Sequence, residues 1–153
     1  MKTNVSLAML AAATAALALS GAVQAQTAID LNLGYTRFDD AGADAVTGRI
    51  GARLVSFVGA EGEVSVGVDD ALDTAWGVFA KGVLPIGETA ELFARVGFAD
   101  AQIAGPGDGD GVAFGAGGQV MAFGRNGVRF DYTRYEFGGD VDAYSISYVL
   151  RLN

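Results

Sequence analysis

Three pairs of carboxylates are the residues of this sequence whose spacing most suggests a metal site. They are Asp39 with Asp40, Asp69 with Asp70, and Asp108 with Asp110. Carboxylate oxygens are the ligands that Ca²⁺ and Mg²⁺ prefer, and the stretch 108–111, Asp-Gly-Asp-Gly, has some calcium-loop character. It lacks the downstream glutamate and the fixed spacing of a calcium loop. We therefore predict solvated acidic loops that hold divalent cations only non-specifically, and no resident metal.

The chain contains no histidine and no cysteine. This composition excludes His-metal sites, Ser-His and Cys-His nucleophile pairs, and disulfides. Glu63 and Glu91 remain as a candidate general acid and base. A buried carboxylate that faces arginine is far more often structural, because an unpaired buried charge is costly. We expect no catalytic residue and no cofactor, and we interpret the protein as a non-enzyme.

The first 25 residues have the three parts of a secretory signal peptide. Lys2 provides the positive start, residues 7–19 form an uncharged apolar run, and Val23-Gln24-Ala25 resembles a cleavage site. An uncleaved membrane anchor is the alternative, but the Ala-rich, Leu-poor composition favours cleavage. We predict a signal peptide at 1–25 and one domain at 26–153.

The composition of the remaining chain favours a membrane barrel. Hydrophobic residues make up 51% of the sequence, yet no uncharged run after Ala25 approaches the ~20 residues of a membrane helix. The 23 glycines and 2 prolines suit many strands joined by tight turns. With 18 acidic against 10 basic residues, nucleic acid is not an expected partner.

Alternation of apolar and polar residues predicts strands, and it is clearest in the last stretch, 143–153. Tyr144, Ile146, Tyr148, Leu150 and Leu152 fall on one face of an extended chain, and small or polar residues fall on the other. The same pattern predicts eight strands, at 29–38, 46–57, 60–68, 75–84, 90–99, 112–123, 128–137 and 143–153. Each is near the ~9–11 residues that cross a bilayer at a tilt. The last strand can pair with the first and close a barrel.

The predicted connections alternate between short and long. Those at 57–59, 85–88 and 124–127 are tight, and the last contains Asn126-Gly127, a strong hairpin signal. Those at 39–44, 69–74, 100–111 and 138–142 are longer or more acidic. Short periplasmic turns opposite longer outer loops are typical of outer-membrane barrels. The fold class that we predict is all-β, an eight-stranded antiparallel up-and-down transmembrane β-barrel that follows a cleaved signal peptide.

Eleven charged residues fall on the inward faces of these strands, where we expect a structural network of salt bridges. They are Asp30, Arg49, Arg53, Glu61, Glu63, Lys81, Glu91, Arg95, Arg129, Asp131 and Arg151. An eight-stranded barrel has a lumen just wide enough to be filled by side chains, so these charges must face one another. The pairs that we predict are Arg53 with Glu61 or Glu63, Lys81 with Glu91, and Asp30 with Arg151.

Six outward aromatic residues fall near the end of the barrel that carries the long loops. They are Tyr35, Trp76, Phe98, Phe114, Tyr132 and Tyr144. A belt of rings at the level of the lipid headgroups explains this placement.

Three strand segments give the chain a resemblance to a known family. They are Val-Gly-Ala-Glu-Gly-Glu at 58–63, Phe-Ala-Arg-Val-Gly-Phe at 93–98, and Arg-Phe-Asp-Tyr-Thr-Arg-Tyr at 129–135. With them, the chain from residue 26 onward resembles the small OmpA/OmpX-like outer-membrane barrels, including the opacity-type surface antigens. The resemblance implies a location in the outer membrane and recognition of the C-terminal strand by the barrel-assembly machinery. The family usually ends on phenylalanine, whereas here Leu152 is followed by Asn153.

The function that we expect is that of a monomeric, non-enzymatic outer-membrane barrel with a filled lumen and a structural or surface-interaction role. Its partners would be the bilayer and its lipopolysaccharide, the latter through cations shared with the acidic loops. A narrow passive pore is the first alternative. A soluble periplasmic β-barrel that acts as a binding module is the second.

Overall fold

A computed structural model of the chain describes residues 28–70, 72–103 and 109–152. The signal peptide predicted at 1–25, Asp108 and Asn153 lie outside the described residues. Eight strands account for most of the described chain. They are β1 (Ile29–Phe38), β2 (Ala43–Val55), β3 (Val58–Gly67), β4 (Leu72–Ile86), β5 (Ala90–Ile103), β6 (Gly109–Phe123), β7 (Asn126–Glu136) and β8 (Asp140–Leu152).

The eight strands pair in sequence order and close into a barrel. All neighbours are antiparallel, and the closing seam between β1 and β8 runs from Ile29 opposite Leu152 to Phe38 opposite Ala143. Closure satisfies the backbone hydrogen bonds of both terminal strands, which an open sheet would leave exposed. The predicted all-β fold and the predicted pairing of the last strand with the first are therefore confirmed. The described ranges contain no helix that is long and apolar enough to cross a membrane.

The two faces of each strand differ as the alternation predicts. In β8, exposed Tyr144, Ile146 and Tyr148 alternate with buried Ser145 and Ser147. The polar face points into the lumen and the apolar face points outward. This is the inverse of a water-soluble protein and matches the pattern of barrels that face lipid.

Five of the eight strands, β2, β4, β5, β6 and β8, extend beyond their predicted limits at the end that carries the long loops, which we call the loop end. We predicted β4 at 75–84, β5 at 90–99 and β6 from 112, whereas they reach Leu72, Ile103 and Gly109. The prediction ended each strand where apolar alternation stopped. Backbone pairing does not need apolar side chains, so the ladder continues through the acidic segments.

The opposite end, which holds the barrel termini and is called here the terminal end, has short turns at 56–57, 87–89 and 124–125. We predicted that Asn126-Gly127 forms part of the turn, and this was wrong. The turn consists of residues 124–125, and Asn126 is the first residue of β7, where it pairs with Phe123. Gly124 takes the positive φ of 63° instead. Two-residue hairpin turns with a glycine at the first central position are among the favoured types.

Two inward glycines make room for the aromatic rings of the lumen. A Cβ at Gly117 would lie 2.7 Å from Cζ of Phe93, and a Cβ at Gly77 would lie 2.7 Å from Cε2 of Phe79. Both separations are below van der Waals contact. Phe79 and Phe93 can therefore lie inside the lumen because their neighbours have no side chain.

Candidate functional site: the charged lumen

The eleven predicted charged residues all contribute to ion pairs inside the barrel. Nine of them are buried: Asp30, Arg49, Glu61, Glu63, Lys81, Glu91, Arg95, Arg129 and Asp131. The side chains of the other two, Arg53 and Arg151, are 24% and 16% exposed at the terminal end. Strand alternation turns all eleven side chains inward, and the narrow lumen brings them within contact distance.

Glu61 is the centre of this network. Its carboxylate accepts hydrogen bonds from Nη1 of Arg95 at 2.7 Å and from Nη1 of Arg129 at 2.5 Å. The ammonium of Lys81 lies 3.3 Å from the same carboxylate. A fully buried carboxylate requires such compensation, because removal from water penalises its charge.

Glu63 forms the next layer toward the loop end. It accepts hydrogen bonds from Nε of Arg49 at 2.6 Å, Nη1 of Arg95 at 2.8 Å and the hydroxyl of Tyr135 at 2.6 Å. Arg95 therefore bridges Glu61 and Glu63. Asp131 joins the same group, because it accepts a 2.9 Å hydrogen bond from Nε of Arg129.

A separate group of ion pairs closes the terminal end. Arg151 donates to both oxygens of Asp30, at 2.7 and 2.9 Å. It also donates to both oxygens of Glu91, at 3.1 and 3.0 Å. Arg53 lies 2.5 Å from Glu91, and Gln119 donates to both Asp30 and Glu91. This group spans β1, β2, β5, β6 and β8 and ties the closing seam to the opposite wall.

The three predicted pairs had different outcomes. Asp30 pairs with Arg151 across the seam, as predicted. Arg53 was predicted to pair with Glu61 or Glu63 and Lys81 with Glu91, and both predictions were wrong: Arg53 pairs with Glu91, and Lys81 with Glu61. Arg53 on β2 reaches across the lumen to Glu91 on β5, a strand that is not adjacent. Lys81 on β4 pairs with a carboxylate on β3, the neighbouring strand opposite to the one that we had chosen.

Three cations pack against the aromatic rings of the lumen. Arg129 and Lys81 lie 4.2 and 4.4 Å from the ring centroid of Phe93, and Arg95 lies 4.2 Å from that of Phe79. Such contacts are favourable when the cation is desolvated. The rings thus fill the lumen between charges that already have carboxylate partners.

Above the charged layers, hydroxyl groups and then apolar residues complete the filling. Thr47 bridges Thr36 and Ser65 at 2.7 Å on each side, and Thr36 lies 2.5 Å from Ser145. Beyond them lies the apolar plug, a buried cluster at the loop end that sequence reasoning missed. It consists of Phe38, Leu72, Phe79, Tyr135, Phe137, Val141, and alanines 43, 45, 75, 99, 101, 113 and 143. Several of these residues lie in segments that we had predicted as loops. The signal in the sequence that could have revealed the plug is the presence of apolar residues at the inward positions of those segments.

The outward surface carries the predicted aromatic residues and a second group that was not predicted. Tyr35, Phe98, Phe114 and Tyr144 are 41–46% exposed, and Trp76 and Tyr132 are half-buried. At the terminal end, outward Phe57, Phe123 and Tyr148 are also exposed. The six residues remain a proposed belt, and the rings at both ends fit the two aromatic girdles typical of membrane barrels.

The carboxylate pairs of the loops bond to backbone amides of their neighbours. Asp40 accepts from the amide of Asp142 at 2.9 Å, and Asp69 accepts from that of Asp44 at 3.1 Å. Within the described part of the chain, no group of three or more potential ligands could hold a metal ion. Glu63 and Glu91 belong to different ion-pair groups and do not form an acid–base pair with each other.

Comparison with solved structures shows what this architecture is. The N-terminal β-barrel domain of Pseudomonas aeruginosa OprF aligns with a TM-score of 0.70 at 16% identity, over 84% of this chain and 100% of that chain. The fold is that of a small outer-membrane β-barrel. The outer-membrane protein Ail of Yersinia pestis, in a phospholipid nanodisc, aligns with a TM-score of 0.60 at 12% identity, over 83% of this chain and 100% of that one.

A designed transmembrane β-barrel aligns equally well, with a TM-score of 0.70 at 11% identity, over 84% of this chain and 98% of the design. No protein-family model and no curated protein matches the sequence. At these identities the likeness is one of fold, and it confirms the resemblance to OmpA/OmpX-like barrels at that level.

The position of Glu61 leads to a prediction about stability. Glu61→Gln keeps the side-chain shape but leaves Arg95, Arg129 and Lys81 without the charge that all three face. Breaking a buried ion pair on one side costs about 3–5 kcal/mol, so we expect a large fall in the urea midpoint of the refolded barrel in detergent micelles. Glu88→Gln, in the exposed turn 87–89, removes the same charge and serves as the control. Equal midpoints for the two variants would contradict a stabilising role for the network.

Proposed function

We propose that this protein is a non-enzymatic barrel of the outer membrane with a structural or surface-interaction role and no permanent channel. The observation that supports this best is the filling of its lumen. Ion pairs occupy the terminal end and the centre, and the apolar plug occupies the loop end. A cavity of about 20 Å³ between Asp30, Arg53, Lys81 and Val83 has room for about one water molecule.

The outward surface supports the location in a membrane. Leu33, Leu84, Leu92 and Phe130 are more than half exposed, on four different strands. A soluble protein rarely exposes apolar residues all around its circumference. A soluble binding module would have to bury all of these outward apolar side chains against another surface, so we do not favour that alternative.

A narrow passive pore is the second candidate, and electrical recording distinguishes it from the filled barrel. We expect purified protein in planar bilayers to give no stable conductance, because an ion would have to displace paired side chains and then cross the apolar plug. The control is an SDS gel of the same sample. An unheated band at the folded position shows that the protein added to the bilayer was folded, so that a lack of conductance is not due to unfolded protein. A stable channel on the nanosiemens scale would contradict the proposal.

We further propose that the loop end meets lipopolysaccharide through shared divalent cations. Asp39, Asp40, Asp69 and Asp70 are exposed there, and anionic lipid would be repelled without bridging cations. In lipopolysaccharide vesicles, we expect chelation of Mg²⁺ to lower the thermal unfolding midpoint of the wild type. The matched variant with all four residues changed to asparagine should respond less. An equal response of both proteins would count against these residues.

The C-terminal strand is the proposed contact for the barrel-assembly machinery. β8 presents Tyr144, Ile146, Tyr148 and Leu152 outward, where a membrane-bound partner could read them. Loss of the folded protein from cells depleted of that machinery would support this partner. Undiminished folding would exclude it.

A further inference from the structure

The Asn126-Gly127 pair lies outside the turn, at the start of β7, and its glycine is required there by packing. Gly127 is buried, and a Cβ on it would lie 2.4 Å from the carbonyl oxygen of Val120 and 2.7 Å from Sδ of Met121. A side chain does not fit at such distances, and glycine within a strand is typical of places where another backbone comes close. The fold therefore places a glycine directly after Asn126.

The side chain of Asn126 is held at both of its polar atoms. Nδ2 donates to the carbonyl oxygen of Phe123 at 3.3 Å, and Oδ1 accepts a hydrogen bond from the hydroxyl of Tyr148 on β8. Asparagine side chains commonly bond to the backbone beside a turn. The two contacts connect the hairpin between β6 and β7 to β8.

An asparagine that precedes glycine is chemically reactive, because the next backbone nitrogen can attack its side chain. In this step the nitrogen of Gly127 forms a bond to Cγ of Asn126 and gives up its proton, while the bond from Cγ to Nδ2 breaks and ammonia leaves. Water then opens the cyclic imide on one side to aspartate or on the other to isoaspartate, so no oxidant or further reactant is needed. Glycine favours the attack, because it has no side chain in the way and its backbone turns freely.

Pairing with β8 engages the attacking nitrogen. The amide of Arg151 donates to the carbonyl oxygen of Arg125 at 2.7 Å, which makes these two residues a hydrogen-bonded pair between β7 and β8. Such pairs alternate along an antiparallel ladder, so Gly127 and the opposite residue, Val149, form the next one. The amide of Gly127 therefore donates to Val149. Attack on Cγ would require this bond to break and the extended backbone at 126 to rotate.

The hairpin of β6 and β7 does not give this protection by itself. The amide of Gly127 points toward β8 and away from β6, and the hydroxyl that holds Oδ1 of Asn126 also comes from β8. We propose that Asn126 is a site of spontaneous deamidation, which reacts until β8 pairs with β7 and is closed to reaction in the finished barrel.

Both products would weaken the corner of the barrel where β6, β7 and β8 meet. Aspartate at 126 would lose the donor to Phe123 and would set a carboxylate against that carbonyl oxygen. Isoaspartate would add a carbon atom to the backbone between Arg125 and Gly127 and disturb the alternation by which both face β8. A chain that waits unfolded thus loses its ability to close.

The rate of deamidation in two states tests the protection. The protein is incubated at neutral pH, either unfolded in guanidinium chloride or as the barrel in micelles with its fold checked on an unheated SDS gel. Mass spectrometry follows the peptide that contains Asn126. We expect the reaction in the barrel to be at least about tenfold slower, because it must await local opening of the strand.

Asn32, which precedes the bulky Leu33, is the internal control and should react slowly in both states. Equal rates at Asn126 in the barrel and in the unfolded chain would overturn the protection by β8. A rate at Asn126 in the unfolded chain no higher than that at Asn32 would overturn the site itself.

Asn126→Gln tests the consequence for folding. Glutamine keeps the amide, but its longer side chain makes ring closure slow. After long incubation in guanidinium chloride, the fraction of wild-type protein that refolds should fall in proportion to the deamidated share, as measured by the unheated band on an SDS gel. The variant should refold as fully after incubation as before it. Full refolding of deamidated wild-type protein would contradict the loss of closure.

Discussion

Closure of eight strands leaves a lumen that side chains alone can fill, and this constraint governs the rest of the structure. Every second residue of every strand must enter that space. Charged residues there lose most of their hydration, so each needs a partner of opposite sign. Glu61 with Arg95, Arg129 and Lys81 shows the result: one carboxylate compensates three cations from three other strands.

In the proposed role, the network and the apolar plug would oppose permeation in different ways. The ion pairs would have to open before an ion could pass, and a buried charge that lost its partners would be left uncompensated. The plug offers no polar group except the hydroxyl of Tyr135, which is bonded to Glu63. The two layers are connected through that hydrogen bond. They make the lumen a core that holds the barrel walls together, and the outer wall becomes the surface on which the protein meets its surroundings.

The sequence allowed the fold to be predicted because the alternation that specifies a strand also specifies which face is buried. The strand β1, the closing seam and the inward set of charges all follow from that period of two. The partners of Arg53 and Lys81 could not be predicted, because alternation does not say whether a long inward side chain turns toward one neighbouring strand, toward the other, or across the lumen. The plug was missed for a related reason. Ala43, Leu72 and Val141 lie in acidic segments that we had predicted as loops, although backbone pairing continues through them.

The most direct test of the account is the migration of the protein in SDS gels, unheated against boiled, after separation of membrane and soluble fractions. A closed membrane barrel with a paired lumen should resist SDS until it is heated. The account therefore predicts a membrane-bound protein whose unheated and boiled forms migrate differently. A soluble protein with the same mobility in both samples would contradict it, since its apolar faces would then have to pack on each other.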